Sequence, residues 1–134
     1  MGAWGVGVFE NDDANDWVYE LEQSSDLGVV LQALTDIAVT DEDGPESMES
    51  AAALAAAEVV AALRGQPGDG LPDDVAKWVA GLGEPASPEL VGSARAAVRQ
   101  VLAASELKDQ WDESGTEQGE EWELQVEDLL SRLE

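Results

Sequence analysis

An alanine-rich segment near the middle of the chain constrains the fold more strongly than any other feature of the sequence. Between residues 51 and 63 every side chain is apolar except that of Glu58. Pro45 suits the first turn of a helix and Gly65 suits the residue after its end, so the sequence predicts a helix over residues 45–63. Because this helix is apolar on nearly all sides, we expect it to lie buried at the centre of the molecule.

Further helices are predicted on both sides of this central helix, because apolar residues recur at spacings of three and four. Asn11 or Asp12 suits the cap of the first helix, and Pro72 suits the start of a later one. Residues 1–134 show no internal repeat and no second domain. We therefore predict a single all-α domain of about six helices over the whole chain.

The C-terminal part of the predicted fold leaves one alternative open. The residues after the fifth helix either extend it or form a short sixth helix capped by Ser105. Residues 112–121 are mostly polar and are predicted to form a flexible loop before the last helix. Trp122 lies in helical register with the apolar residues that follow it, and we expect both it and Trp111 to face the core.

The N-terminal segment, residues 1–10, is predicted to be an extended strip. Its sequence alternates large apolar residues with glycines, namely Trp4, Val6 and Val8 with Gly5 and Gly7. Successive side chains of an extended chain point to opposite sides, and glycine permits close backbone approach. A single strand cannot form a sheet, so we expect the strip to pack across the helices.

The charge is extreme and unevenly distributed. The chain has 30 acidic and 6 basic residues, with a net charge of -24. Residues 1–50 hold thirteen acids and no base, and residues 105–134 hold eleven acids and two bases, whereas the middle is nearly neutral. Such a field repels nucleic acid and anionic membranes and attracts basic proteins and cations. A basic protein is therefore the predicted partner, and solubility alone is the other interpretation.

Several classes of enzyme are excluded by composition. The chain has no cysteine and no histidine, so catalytic arrangements such as Ser-His-Asp or Cys-His cannot form. Because no nucleotide-binding motif is present, we expect no cofactor. The sequence shows neither a signal peptide nor an apolar run of membrane-spanning length, which predicts a cytoplasmic location.

Carboxylates are the remaining groups that could support chemistry. Asp12, Asp13 and Asp16 follow Glu10 within seven residues, and hard cations such as Mg²⁺ and Ca²⁺ prefer such oxygen ligands. The same acids are also favoured at the start of a helix, where the helix dipole stabilises negative charge. The structural interpretation is favoured, and the metal site stays as the alternative.

Glu58 is the only charged residue of the central helix between residues 51 and 63. A buried carboxylate needs hydrogen bonds or a positive partner. The Trp4 indole, the backbone N–H groups of the strip, Arg95 and Arg99 are the candidate partners. Glu58 is interpreted as a latch between the strip and the central helix, and alternatively as a metal ligand or general base.

The N-terminal sequence resembles the opening of the bacterial family called domain of unknown function 4259. The resemblance is carried by Gly2, Trp4, Gly5, Gly7, Phe9, Asn11, Asp12, Ala14 and Trp17. It extends to Ala57 and Glu58 and to the tryptophans near the C-terminus, while Val8 stands where the family often has proline. The resemblance implies that the strip and Glu58 belong to the common frame of the family, and it implies no activity or catalytic residue.

Two functions follow as hypotheses. The favoured one is a non-enzymatic module for protein–protein interaction with a basic partner, in an immunity- or antitoxin-like role, because complementary charge speeds the capture of basic proteins. The alternative is a divalent-metal-binding or carboxylate-based enzyme centred on Glu58 and the cluster of Asp12, Asp13 and Asp16. A homo-oligomer formed through the neutral middle segment is the third interpretation.

Overall fold

The computed structural model describes residues 7–24, 26–37, 47–68, 70–83, 85–103, 105–114 and 116–133. The helices in these ranges are α1 (Asp12–Glu22), α2 (Gly28–Asp36), α3 (Ser47–Leu63), α4 (Asp73–Leu82), α5 (Pro88–Ala103), α6 (Glu106–Ser114) and α7 (Thr116–Leu133). The predicted all-α fold class is confirmed. Within the described ranges, no helix is both long enough and apolar enough to cross a membrane.

Helix α3 lies at the centre of the molecule, as its composition predicts. It packs against each of the other six helices. Ala53, Ala55, Ala56, Ala57 and Ala61 are fully buried along it, together with Val59 and Val60. Small side chains let neighbouring helices approach closely, so an alanine-rich helix can be surrounded on all sides.

Local capping signals define the helix starts. The side chain of Asn11 accepts a hydrogen bond from the Ala14 N–H at 2.7 Å, which confirms it as the cap of α1. Ser87 accepts from the Leu90 N–H at 3.1 Å at the start of α5. Ser105 accepts from the Lys108 N–H at 3.0 Å, so the residues after α5 form a separate short helix.

The predicted loop over residues 112–121 is wrong for the part of that segment which the structure describes. Helix α6 continues to Ser114 and α7 begins at Thr116. Trp111 and Trp122 are buried on the two helices, as predicted, and this burial draws α6 and α7 together. A Cβ on Gly119 would lie 3.0 Å from the carbonyl oxygen of Trp111, so the helices meet here with almost no space between them.

The predicted extended strip is also wrong where the structure describes it. The Glu10 N–H donates to the Gly7 carbonyl at 3.0 Å, so residues 7–10 form a turn. Val8 and Phe9 are consecutive and both buried in the core, whereas an extended strip with one face on the helices would bury alternate side chains. The remaining strip positions, Trp4 and Gly5 among them, lie outside the described residues.

The contact at Gly119 predicts an unusual response to alanine. Replacing an exposed helical glycine by alanine stabilises a helix by about 0.5–1 kcal/mol, and Gly81→Ala on α4, where nothing lies within 4 Å, should show this gain. Gly119→Ala should show no gain, and Gly119→Val should lower the free energy of unfolding by roughly 1–3 kcal/mol through overpacking. Urea unfolding followed by circular dichroism measures all three. Equal stabilisation by both alanines would contradict the close contact.

Candidate functional site

Glu58 is buried on α3, as its position in an apolar helix predicts. Its residue surface is 5% exposed. The carboxylate accepts two hydrogen bonds from one guanidinium group, from Arg132 Nη2 to Oε1 at 2.7 Å and from Arg132 Nη1 to Oε2 at 3.0 Å. The Arg132 side chain is itself only 14% exposed. The arrangement is a bidentate ion pair largely removed from water, a geometry that arginine forms well with carboxylates.

Arg132 donates two further hydrogen bonds beside this ion pair. Its Nε donates to Asp128, one turn earlier on α7, at 2.9 Å, and its Nη1 also donates to the Gln66 carbonyl at 3.2 Å. The hydrogen bond to Glu58 is the main cause that raises the pKa of Arg132 above its ordinary value, and Asp128 adds to it. The guanidinium therefore stays charged, and it joins α3, the segment after α3 and α7.

The close fit around the pair depends on Gly68. A Cβ at this position would lie 2.9 Å from the Glu58 Oε2 atom and 3.1 Å from both terminal nitrogens of Arg132. Only a residue without a side chain lets the backbone cover the pair so closely. The segment between α3 and α4 thus helps to exclude water from the charges.

Among the described residues, the carboxylate of Glu58 is held by a partner outside the predicted set. Glu58 holds α7 to α3 through Arg132, a residue 74 positions away that local spacing does not single out. Arg95 and Arg99 were the predicted cationic partners, and Trp4 lies outside the described residues. Of the strip, Gly7 and Phe9 line the same cavity of about 380 Å³ as the ion pair, so the N-terminal turn borders the latch.

The other N-terminal site residues support the start of α1. Asn11 caps the helix, and its Nδ2 also donates to the Val8 carbonyl at 3.1 Å, which ties the turn to the helix. Asp12 lies exposed in the first turn, where its charge suits the helix dipole. Trp17 is buried in the core.

The metal cluster considered as the alternative is not assembled in the part of the chain that the structure describes. No three acidic side chains stand together there in a way that could hold a metal ion. Asp13 and Asp16 line one cavity and Glu58 lines another, while Asp12 lines neither. The carboxylate of Glu58 is already engaged by Arg132, so these residues do not form one chemical centre.

A groove of about 400 Å³ lies where α1, α2 and α3 meet. We call it the acidic groove. Its lining includes two sets of residues, which we call the floor and the rim. The floor is the apolar set, Trp17, Val29, Ala33, Ala52 and the exposed Met48, and the rim is the acidic set, Asp13, Asp16, Glu20, Asp36 and Glu49. None of the described residues that line it is Lys or Arg. It therefore combines apolar surface with five carboxylates.

The acidic groove forms where the first turn of α3 reaches the protein surface. Ser50 is fully buried, whereas Met48, half a turn earlier, is 60% exposed. The first turn of α3 thus brings apolar surface to the outside beside the acidic face of α1, where Asp13, Asp16 and Glu20 are spaced by three and four. Periodicity indicates that face of α1, but Asp36 and Glu49 join it only through helix packing.

The family model described as "Domain of unknown function (DUF4259)" matches residues 2–125. Since the match covers most of the sequence, the chain belongs to this family, as the N-terminal resemblance predicted. No curated protein matches the sequence, and no solved structure matches it. Arg132 lies beyond the matched residues.

The latch predicts a large difference between two ion pairs, the buried Glu58–Arg132 pair and the Lys108–Asp112 pair of α6. Arg132→Met leaves the Glu58 carboxylate buried without its partner and should lower the free energy of unfolding by about 3 kcal/mol. Lys108→Met removes the exposed partner of Asp112, whose 2.8 Å pair should contribute less than about 1 kcal/mol. Urea unfolding of both variants measures the difference.

A double variant separates charge from shape. Glu58→Met combined with Arg132→Met replaces the pair by apolar side chains, and it should recover most of the stability that Arg132→Met alone loses. If Arg132→Met were no more harmful than Lys108→Met, the latch would have no structural role.

Proposed function

We propose that this member of the DUF4259 family is a non-enzymatic binding protein that holds a basic segment of a protein partner in the acidic groove. The observation that carries the proposal is the lining of the groove, where the carboxylates of Asp13, Asp16, Glu20 and Asp36 stand beside an apolar floor and the described lining residues include neither Lys nor Arg. A partner with Lys or Arg side chains would neutralise the rim and cover the floor at the same time.

The charge of the whole chain supports this assignment. With a net charge of -24, the protein attracts positively charged partners over distances set by the ionic strength. A groove with apolar walls and charge of one sign focuses that field at the binding site. Complementary charge of this kind speeds association with a basic protein, which suits an immunity- or antitoxin-like inhibitor of a basic enzyme.

The acidic groove is better suited to this role than an acidic surface on α7. On α7 a shallow depression of about 330 Å³ is lined by Glu120, Glu123, Leu124 and Glu127. Only one of its described lining side chains is apolar, whereas five apolar side chains line the acidic groove. Charge alone steers association, but apolar burial supplies most of the affinity of a stable interface, so the groove is the stronger candidate.

The metal-dependent or carboxylate-based enzyme has no observation in its favour. Glu58 serves the ion pair with Arg132, and the described acids of α1 form no cluster for a metal. We therefore propose the binding function alone.

Charge reversal at two sites tests the proposal. Asp16→Lys with Glu20→Lys changes the groove rim, and Glu120→Lys with Glu127→Lys makes the same change in net charge on α7. The immobilised wild type should retain a basic protein from an extract of the source organism at about 50 mM salt and release it at about 500 mM. The α7 variant should retain the same protein, whereas the affinity of the groove variant for it should fall roughly tenfold or more. Equal retention by both variants would exclude the groove as the site.

A further inference from the structure

We propose that the segment held in the acidic groove is an amphipathic basic α-helix of the partner, with an apolar face on the floor and flanking Lys or Arg side chains on the rim. This inference rests on the proposed binding function and specifies the shape and chemistry of the occupant. It is carried by three properties of the groove: its helical walls, its small floor residues and its one-sided charge.

The helical walls favour a helical occupant. The groove is lined by residues of α1, α2 and α3 only, so its described walls offer no sheet edge to which an extended peptide could add a strand. An extended segment on the apolar floor would leave backbone N–H and C=O groups without partners, at a cost in free energy. A helix satisfies its backbone groups internally and can lie on apolar surface, as in other helix-in-groove complexes.

The floor residues favour large apolar side chains on that helix. Ala33 and Ala52 are small, and they line the groove together with Val29 and the buried Trp17. Met48 at the edge is 60% exposed, and its flexible, polarizable side chain can adapt to the shape of a partner. Apolar residues three and four positions apart share one face of a helix, so two or three of them can enter the groove together.

The acids of the rim determine the charge expected on the flanks of the partner helix. Asp13, Asp16 and Glu20 belong to α1, Asp36 to the end of α2 and Glu49 to the first turn of α3. The carboxylates therefore come from three helices that meet around one apolar floor. Lys and Arg can lay their aliphatic stems along apolar surface and still reach such carboxylates with their charged ends. A helix with basic residues on both sides of its apolar stripe can cover the apolar floor and pair with the acids of the rim at the same time.

Two synthetic peptides separate shape from charge. Both have about 18 residues of Leu and Lys in identical composition; in one the leucines fall at helical spacings of three and four, and in the other they are spread evenly around the helix. Calorimetric titration into the full chain should give the amphipathic peptide an affinity at least about tenfold higher, with a gain of helical circular dichroism on binding.

Matched variants locate the binding site. Met48→Asp places a charge at the groove edge, and Leu124→Asp makes the same change at a similarly exposed position, 65%, on α7. Met48→Asp should weaken binding of the amphipathic peptide about tenfold, whereas Leu124→Asp should leave it unchanged. Both side chains stand largely in water, so neither variant should unfold the chain, and circular dichroism of the free proteins checks this.

The outcomes distinguish this inference from the function on which it rests. Equal affinity for the two peptides would overturn the amphipathic helix and leave a groove that selects for charge. Binding that Leu124→Asp weakens and Met48→Asp does not would overturn the groove as the site. If neither peptide binds at about 50 mM salt, the basic partner itself is wrong, and both proposals fail.

Discussion

A single carboxylate inside an apolar helix sets the condition that the rest of the structure satisfies. Glu58 belongs to α3, which contacts all six other helices, and removing its charge from water without a partner would cost several kcal/mol. Arg132 supplies the partner through two hydrogen bonds, and Gly68 lets the backbone cover both groups. A buried pair of this kind adds little net stability over apolar packing, but it penalises any arrangement of α7 that leaves Glu58 unpaired.

The separation of apolar and acidic residues along the chain becomes a separation between inside and outside. The nearly neutral middle of the sequence supplies the buried α3 and much of α5, while the acidic ends supply the outward faces of α1 and α7. The acidic groove lies at the boundary between these regions. There the first turn of α3 reaches the surface at Met48, and its apolar side chains meet the carboxylates of α1 and α2. A surface that is both apolar and acidic is suited to a partner that is both apolar and basic.

The elements that local signals define could be predicted, and those that depend on distant contacts could not. Asn11 and Ser105 are caps whose hydrogen bonds reach only three residues along the chain, so the sequence offers both as candidates, each beside one alternative. The polar residues 112–121 instead predict a loop, because their helical state depends on the burial of Trp122 and on the close contact at Gly119. The alternation before α1 likewise predicts an extended strip, but the burial of both Val8 and Phe9 favours a turn.

The sequence by itself determined the helical class, the burial of the alanine-rich segment, the need of Glu58 for a partner, the acidic ends and the membership of the family. These properties depend on composition and on interactions within one or two helical turns. Only the tertiary structure decided that Arg132 pairs with Glu58 and that Asp36 and Glu49 join the acids of α1 around one groove. The physical reason is that periodicity shows which face of a helix is buried but leaves open which helix covers it and at what angle, and distant side chains meet only when that packing is set.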